Sequence, residues 1–150
     1  MAAMADFQTF SAAIAVAQLA WQTCVFFNKV KDAGVTARKL YRKTRQLHAT
    51  LQGVNAALRR REDQRACNTP TPNEAQIERN IRASIEASRQ ILLKIDRKLK
   101  VLNGKDELSF STKTLAQVRL TLKQAAIARH ESELDLQIQA LQTSLGTLQL

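Results

Sequence analysis

Apolar side chains recur every three or four residues along most of the chain, which is the spacing of one face of an α-helix. The pattern predicts four long helices, over about residues 6–31, 35–65, 72–102 and from 111 or 112 to the C-terminus. Only four glycines and two prolines interrupt it, whereas a β-sandwich or barrel needs a turn signal about every 8–12 residues. The sequence therefore predicts an all-α fold.

The first predicted helix has no charged side chain between residues 7 and 28. We expect Asp6 to cap it and Gly34 to end it. A run with helical spacing predicts its main buried seam: Phe7, Phe10, Ile14, Ala17, Trp21 and Cys24. Because Phe26, Phe27 and other apolar residues occupy the remaining faces, the pattern favours a central helix buried on most sides. The uncharged stretch would be roughly 33 Å long as a helix, so the alternative is a helix that leaves the bundle and enters lipid.

The second and third predicted helices each carry one apolar seam, and a short linker at residues 66–73 separates them. Gly53 marks a kink or a close helix contact in the second helix. Thr71, Pro72 and Glu74 have the spacing of a capping box at the start of the third helix. The predicted seam residues are Ala37, Leu40, Thr44, Leu47, Leu51, Val54 and Leu58, then Ile77, Ile81, Ile85 or Ser84, Ser88, Leu92, Ile95, Leu99 and Leu102. Of these, we expect Leu47, Leu51, Ile81 and Ile95 to be buried.

The fourth predicted helix has two apolar runs that differ in phase, which predicts either a bend between residues 125 and 133 or a frayed, projecting end after Gly146. The two runs are Leu115, Val118 and Leu122, then Ile127, Leu134, Ile138, Leu141, Leu145 and Leu148. Short connections between long helices favour antiparallel neighbours. We therefore expect one domain over residues 1–150, built as an up-down antiparallel bundle of four principal helices.

The chain is strongly basic, with a net charge of +10, and most of this charge lies between residues 29 and 65. One interpretation is an ordinary solvated helix face. The other is a surface for an anionic lipid membrane or for nucleic acid. Nucleic acid is disfavoured because no recognised DNA-binding motif is present, and Tyr41 is the only aromatic residue among the basic ones that could stack on bases. The candidate anionic-surface patch consists of Arg38, Lys39, Arg42, Lys43, Arg45, Arg59, Arg60 and Arg61.

Residues able to carry chemistry are scarce, and none forms a pattern typical of an enzyme or a metal site. Cys24 and Cys67 lack metal-ligand neighbours, and we expect no disulfide between them. His130 and Glu133 share a helix face and are interpreted as a solvated ion pair. Asp6 is the only charged residue before the apolar stretch. Because a secretory signal begins with a positively charged segment, this acidic residue disfavours one. The sequence therefore predicts a reduced, intracellular protein without catalytic activity, cofactor, metal or small-molecule substrate.

Three segments carry a resemblance to a known family. Met4-Ala5-Asp6-Phe7 opens the uncharged helix, residues 27–33 read Phe-Asn-Lys-Val-Lys-Asp-Ala, and residues 128–136 read Ala-Arg-His-Glu-Ser-Glu-Leu-Asp-Leu before Gln-Ala-Leu-Gln-Thr at 139–143. The chain resembles the N-terminal helical domains of fungal NACHT and ankyrin-repeat proteins. These are the HeLo-like family, which includes the domain named after an azaphilone pigment cluster protein. Glu131 stands where that family commonly has Lys, and residues 137–138 interrupt its usual Leu-Ala run.

The resemblance implies a helical bundle that acts as a signalling or cell-death module, since HeLo domains perforate membranes through their N-terminal helix. We therefore expect a cytoplasmic interaction module that associates with an anionic membrane when activated, with a protein partner or a second copy as its other partner. The membrane-helix residues would be Phe7, Phe10, Ile14, Trp21, Phe26 and Phe27. The alternatives are a structural oligomerisation bundle without a membrane role and a basic nucleic-acid-binding protein.

Overall fold

Four long helices form the described part of the molecule, a computed structural model that covers residues 2–30, 34–65, 71–103 and 125–149. Side chains are described for residues 9–30, 34–61, 63, 71–98 and 127–148. The helices are α1 (Ala2–Val30), α2 (Val35–Arg65), α3 (Pro72–Asn103) and α4 (Ala125–Gln149). No residue in these ranges lies in a strand. The predicted all-α fold of four long helices is confirmed.

The helix boundaries follow the local capping chemistry at α3 but not at α1. The Glu74 amide donates to Thr71 Oγ1 at 3.2 Å, and the Thr71 amide donates to Glu74 Oε2 at 3.4 Å, so the predicted capping box is present. Asp6 does not cap α1, because the helix already begins at Ala2. Alanine-rich residues before Asp6 are strong helix formers and continue the helix. Gly34 has a φ of +149° and directly precedes α2, where its carbonyl accepts the Arg38 amide at 3.2 Å.

The helices run alternately up and down. Phe10 lies against Arg59 and Trp21 against His48, so α1 and α2 are antiparallel. Lys43 bonds to Asp135, and Gly53 lies close to Leu145, so α2 and α4 are parallel. Arg82 near the start of α3 bonds to Thr9 of α1, and Lys98 near the end of α3 contacts His130 near the start of α4. The predicted up-down direction of the helices is confirmed.

The order of the helices around the bundle differs from the simplest expectation. The helices α1 and α4 each pack against both α2 and α3, so the order around the bundle is α1, α2, α4, α3. Consecutive helices α2 and α3 therefore lie on a diagonal instead of side by side. Residues 66–71 can span roughly 20 Å, which is enough to cross the end of a bundle with neighbours about 8–10 Å apart. At that end, Arg61 forms ion pairs with Glu74 and Glu78.

The core contains the predicted seams of α2, α3 and α4. Leu47, Leu51, Ile81 and Ile95 are fully buried, as predicted. Ile127, Leu134, Ile138 and Leu141 of α4 are also fully buried. Leu115, Val118 and Leu122 of the predicted fourth helix, and Leu99 and Leu102 of the third, lie outside the described side chains.

The predicted seam of α1 is only partly right. Ala17 and Cys24 are buried as predicted, but Ile14 and Trp21 are 37% and 52% exposed, and the described part of the helix is not buried on most sides. The described apolar core residues of α1 are mostly small: Ala13, Val16, Ala17, Ala20, Cys24, Phe27 and Val30. Small side chains let α1 approach α2 closely, so that the bulky Ile14 and Trp21 are turned outward.

Two helical glycines lead to a stability prediction. A Cβ at Gly146 would meet nothing within 4 Å, and α4 continues past it to Gln149 with Leu148 packed on the core. The frayed end that the sequence offered as an alternative at Gly146 is therefore not present. We expect Gly146→Ala to raise the free energy of unfolding by about 0.5–1 kcal/mol, because alanine favours the helix.

Urea titrations followed by circular dichroism would measure the free energy of unfolding of Gly146→Ala and of the wild type. At Gly53 a Cβ would lie 3.2 Å from Leu145 Cδ2, so this glycine marks a close helix contact. We expect Gly53→Ala to give a smaller gain than Gly146→Ala, because the end of the Leu145 side chain must shift. A loss of stability in Gly146→Ala would contradict the helical conformation at that position.

Candidate functional site

A groove of about 550 Å³ runs between α1 and α2 on the outside of the bundle. Its lining residues are Ile14, Ala17, Gln18, Trp21, Gln22, His48, Gln52 and Asn55. The indole of Trp21 lies against the imidazole of His48, with ring centroids 5.1 Å apart. We call this feature the α1–α2 groove.

The lining of the α1–α2 groove carries no Lys, Arg, Asp or Glu side chain. Gln18, Gln22 and Gln52 present exposed amides, and Asn55 Oδ1 is buried without a hydrogen-bond partner. Cations border both ends of the groove. The Arg59 guanidinium lies 5.5 Å from the Phe10 ring centroid at one end, and Arg45 lies one helical turn before His48 at the other. The groove is therefore an apolar and amide surface between two basic ends.

The predicted basic patch does not form one surface. Lys43 is bonded to Asp135, and Arg61 to Glu74 and Glu78, so these two cations join helices. Arg59 and Arg60 lie at the far end of α2, roughly 21 Å along the helix from Arg45. These residues are therefore separated from the cations at the beginning of α2.

Three arginines at the beginning of α2 do share one face. Arg38, Arg42 and Arg45 follow at intervals of four and three residues, which places them in one row about 10 Å long. We call this row the basic stripe. All three are exposed, and within the described side chains they have no ion-pair partner. Lys39 is also exposed but lies about a quarter turn away, toward the side of α2 that contacts α4.

The predicted membrane-helix residues are distributed around α1. Phe27 is fully buried, Phe26 is partly buried with its ring centroid 5.5 Å from that of Phe27, and Phe10 is partly buried beneath Arg59. Trp21 and Ile14 face outward at the α1–α2 groove, while Phe7 lies outside the described side chains. Of the five that are described, only Ile14 and Trp21 lie together on one exposed face.

The stretch Thr9–Val30 is long and apolar enough to cross a membrane, and 39% of its most apolar window is buried in the bundle. The core helix of a soluble protein and an N-terminal signal sequence have the same length and apolar composition. The length of α1 is therefore compatible with both a membrane helix and a bundle helix.

His130 differs from the solvated ion pair that the sequence suggested. Its side chain is buried, and Nδ1 lies 3.7 Å from Glu133 Oε2, beyond hydrogen-bond distance. Lys98 Nζ lies 3.1 Å from Nε2. Because an ammonium group only donates, Nε2 must accept, and the imidazole is neutral. Burial first, and then the charge of Lys98, lower the pKa of His130 below its ordinary value, against an opposing effect of Glu133.

This environment predicts a pH-dependent stability. A histidine with a lowered pKa in the folded state binds its proton more readily when unfolded, so its contribution is complete above pH 6.5 and is lost as the pH falls. We expect the free energy of unfolding to decrease from pH 7 to pH 5, and His130→Leu to reduce that decrease. Urea titrations of both proteins across this range provide the measurement. An identical pH dependence in the two proteins would show that His130 is not responsible.

The described residues offer little chemistry for a reaction. Cys24 is buried, and burial raises the pKa of its thiol more than the Thr44 hydroxyl and Arg45 lower it. Within the same residues, no group of three His, Cys, Asp or Glu side chains could hold a metal ion. Cys67 lies outside the described residues, so the absence of a Cys24–Cys67 disulfide stays a prediction.

Sequence reasoning found the cations but missed the α1–α2 groove. The available signal was the row of uncharged polar residues on one face of each helix, Gln18 and Gln22 in α1 and Gln52 and Asn55 in α2. Comparison with protein-family models, with curated proteins and with solved structures finds no match to this chain.

Proposed function

We propose that this protein is a non-enzymatic helical signalling or interaction module that associates with anionic membranes through its α1–α2 surface. The observation that supports the proposal is the basic stripe, whose three arginines have no acidic partner among the described side chains and adjoin an exposed, uncharged face of α1. The resemblance to HeLo-like domains, in which the N-terminal helix acts on membranes, leads to the same expectation.

The proposed membrane association combines two weak attractions. Each Lys or Arg held near an anionic membrane contributes about 1 kcal/mol to binding, and the basic stripe supplies three such residues. The exposed Trp21 and Ile14 add apolar contact beside it. Stable attachment to a membrane usually requires two such signals together. The two features lie on adjoining helices, so one orientation of the bundle presents both to a membrane.

Co-sedimentation with lipid vesicles tests this function. We expect binding to vesicles that contain phosphatidylserine, weaker binding at high salt, and no binding to vesicles of phosphatidylcholine alone. Replacing Arg38, Arg42 and Arg45 with Glu should abolish the binding. Lys43 is left unchanged in this variant because its bond to Asp135 joins α2 to α4.

A matched variant controls for net charge. Arg79, Arg97 and Arg129 are also exposed, and they lie on α3 and α4. Replacing these three with Glu lowers the net charge equally and should leave most of the vesicle binding intact. Equal binding to neutral and anionic vesicles, or none to either, would contradict the proposal and favour the oligomerisation bundle, which light scattering would detect as a stable dimer or larger species.

A further inference from the structure

We infer that the folded bundle docks on an anionic lipid bilayer while α1 remains packed in it, with Trp21 seated among the lipid headgroups. This inference rests on the proposed membrane association and specifies how it occurs. It differs from insertion of α1 across the bilayer, which the uncharged sequence of that helix suggested.

Helix α1 is integrated in the core. Ala13, Ala20, Phe27 and Val30 are fully buried, and α1 packs against both α2 and α3. Arg82 of α3 also donates two hydrogen bonds to Thr9 Oγ1, each at 3.0 Å. Extraction of α1 would expose the core faces of both neighbouring helices to water. Insertion would therefore require much of the bundle to come apart.

The apolar side chains needed for docking already lie on the surface of the bundle. Ile14 and Trp21 of α1 line the α1–α2 groove, and they are two of the four large apolar side chains that are exposed in the described part of the chain. Tryptophan has an apolar ring and a polar N–H group, and it is enriched at the boundary between lipid and water. Docking through these residues requires no unfolding.

The charges on the α1–α2 side complement those of an anionic bilayer. Trp21 lies against His48, and Arg45 lies one turn before His48 on α2, close enough to Cys24 to lower the pKa of that thiol. The apolar ring and the basic stripe therefore adjoin one another. Among the described side chains, every carboxylate except Asp63 lies on α3 or α4. An anionic surface would thus attract the α1–α2 side and turn the acidic residues away.

The fluorescence of Trp21, the only tryptophan in the chain, tests this inference on the unmodified protein. Vesicles containing phosphatidylserine would carry a spin-label quencher either near the headgroups or near the ends of the acyl chains. We expect a shift of the emission to shorter wavelength and stronger quenching by the shallow label. If α1 spanned the bilayer, Trp21 would lie near the middle of Thr9–Val30 and the deep label would quench more strongly. That result would overturn the inference.

An engineered disulfide between α1 and α2 gives an independent test. Thr44 faces Cys24 across the interface of α1 and α2, so Thr44→Cys in a Cys67→Ser background should allow a disulfide that ties the two helices together. We expect the oxidised and reduced forms of this variant to bind phosphatidylserine vesicles with affinities within about twofold. Binding by the reduced form alone would show that α1 must leave α2. Failure of the wild-type protein to bind would instead refute the proposed function itself.

A pair of surface variants tests the role of the indole. Trp21→Ala should weaken binding to phosphatidylserine vesicles roughly tenfold, and Trp21→Phe should retain most of it. Leu136→Ala is the matched control because Leu136 is the exposed large apolar residue on α4. Its binding should equal that of the wild type. Equal losses in Trp21→Ala and Leu136→Ala, with unchanged helical circular dichroism, would place the docking surface elsewhere.

Discussion

Replacing Phe27 with alanine should lower the free energy of unfolding by about 3–5 kcal/mol, whereas replacing Trp21 should lower it by less than about 1 kcal/mol. Phe27 is fully buried, so its truncation leaves a cavity between packed helices. Trp21 is half-exposed and loses mainly its contact with His48. Guanidinium titrations followed by circular dichroism at 222 nm would measure both values.

Comparing the stabilities of these two variants distinguishes the rotation of α1 about its axis in the structure from the rotation predicted from the sequence. In the seam predicted from the sequence, Trp21 belongs to the core, and its loss would cost at least as much as that of Phe27. Phe26→Ala serves as an intermediate control, since Phe26 is partly buried beside Phe27. A ranking in which Trp21→Ala is the most destabilised variant would restore the rotation inferred from the sequence.

The error at α1 has a physical cause that α2 and α3 do not share. In α2, charged residues such as Arg38, Arg42 and Arg45 must face water, and they fix the side on which Leu47 and Leu51 are buried. Residues 7–28 of α1 carry no charge, so nothing in the pattern fixes the rotation of the helix. The helical spacing from Phe7 to Cys24 placed Trp21 in the core, whereas the packing buries small residues such as Ala13 and Ala20.

The candidate site was predictable only in part, for a related reason. The sequence shows where the cations are but not which acids they meet, and Lys43 meets Asp135 from a distant helix. That pairing depends on α4 lying beside α2, which follows from the diagonal placement of α3. Likewise, the burial of His130 beside Lys98 depends on the packing of α3 against α4. Local spacing cannot reveal such contacts, although it did identify the capping box at Thr71 and Glu74.

Replacing Leu51 or Ile81 with alanine should each lower the free energy of unfolding by about 2–5 kcal/mol. Both side chains are fully buried in one continuous core, although they lie on the diagonally opposed helices α2 and α3. Leu136→Ala is the control, and its exposed side chain should cost less than about 0.5 kcal/mol. Chemical denaturation would give all three values.

The same titrations test whether the four helices unfold as one domain. Trp21 lies on α1, so its fluorescence reports on a different part of the bundle from the α3 site of Ile81→Ala. If the bundle is cooperative, Ile81→Ala should shift the fluorescence and circular dichroism transitions to the same denaturant concentration. A shift in circular dichroism without a shift in Trp21 fluorescence would mean that α3 unfolds separately from α1 and α2. Coincident shifts would instead mean that α1 is released only when the whole core opens, which is the energetic basis for docking without insertion.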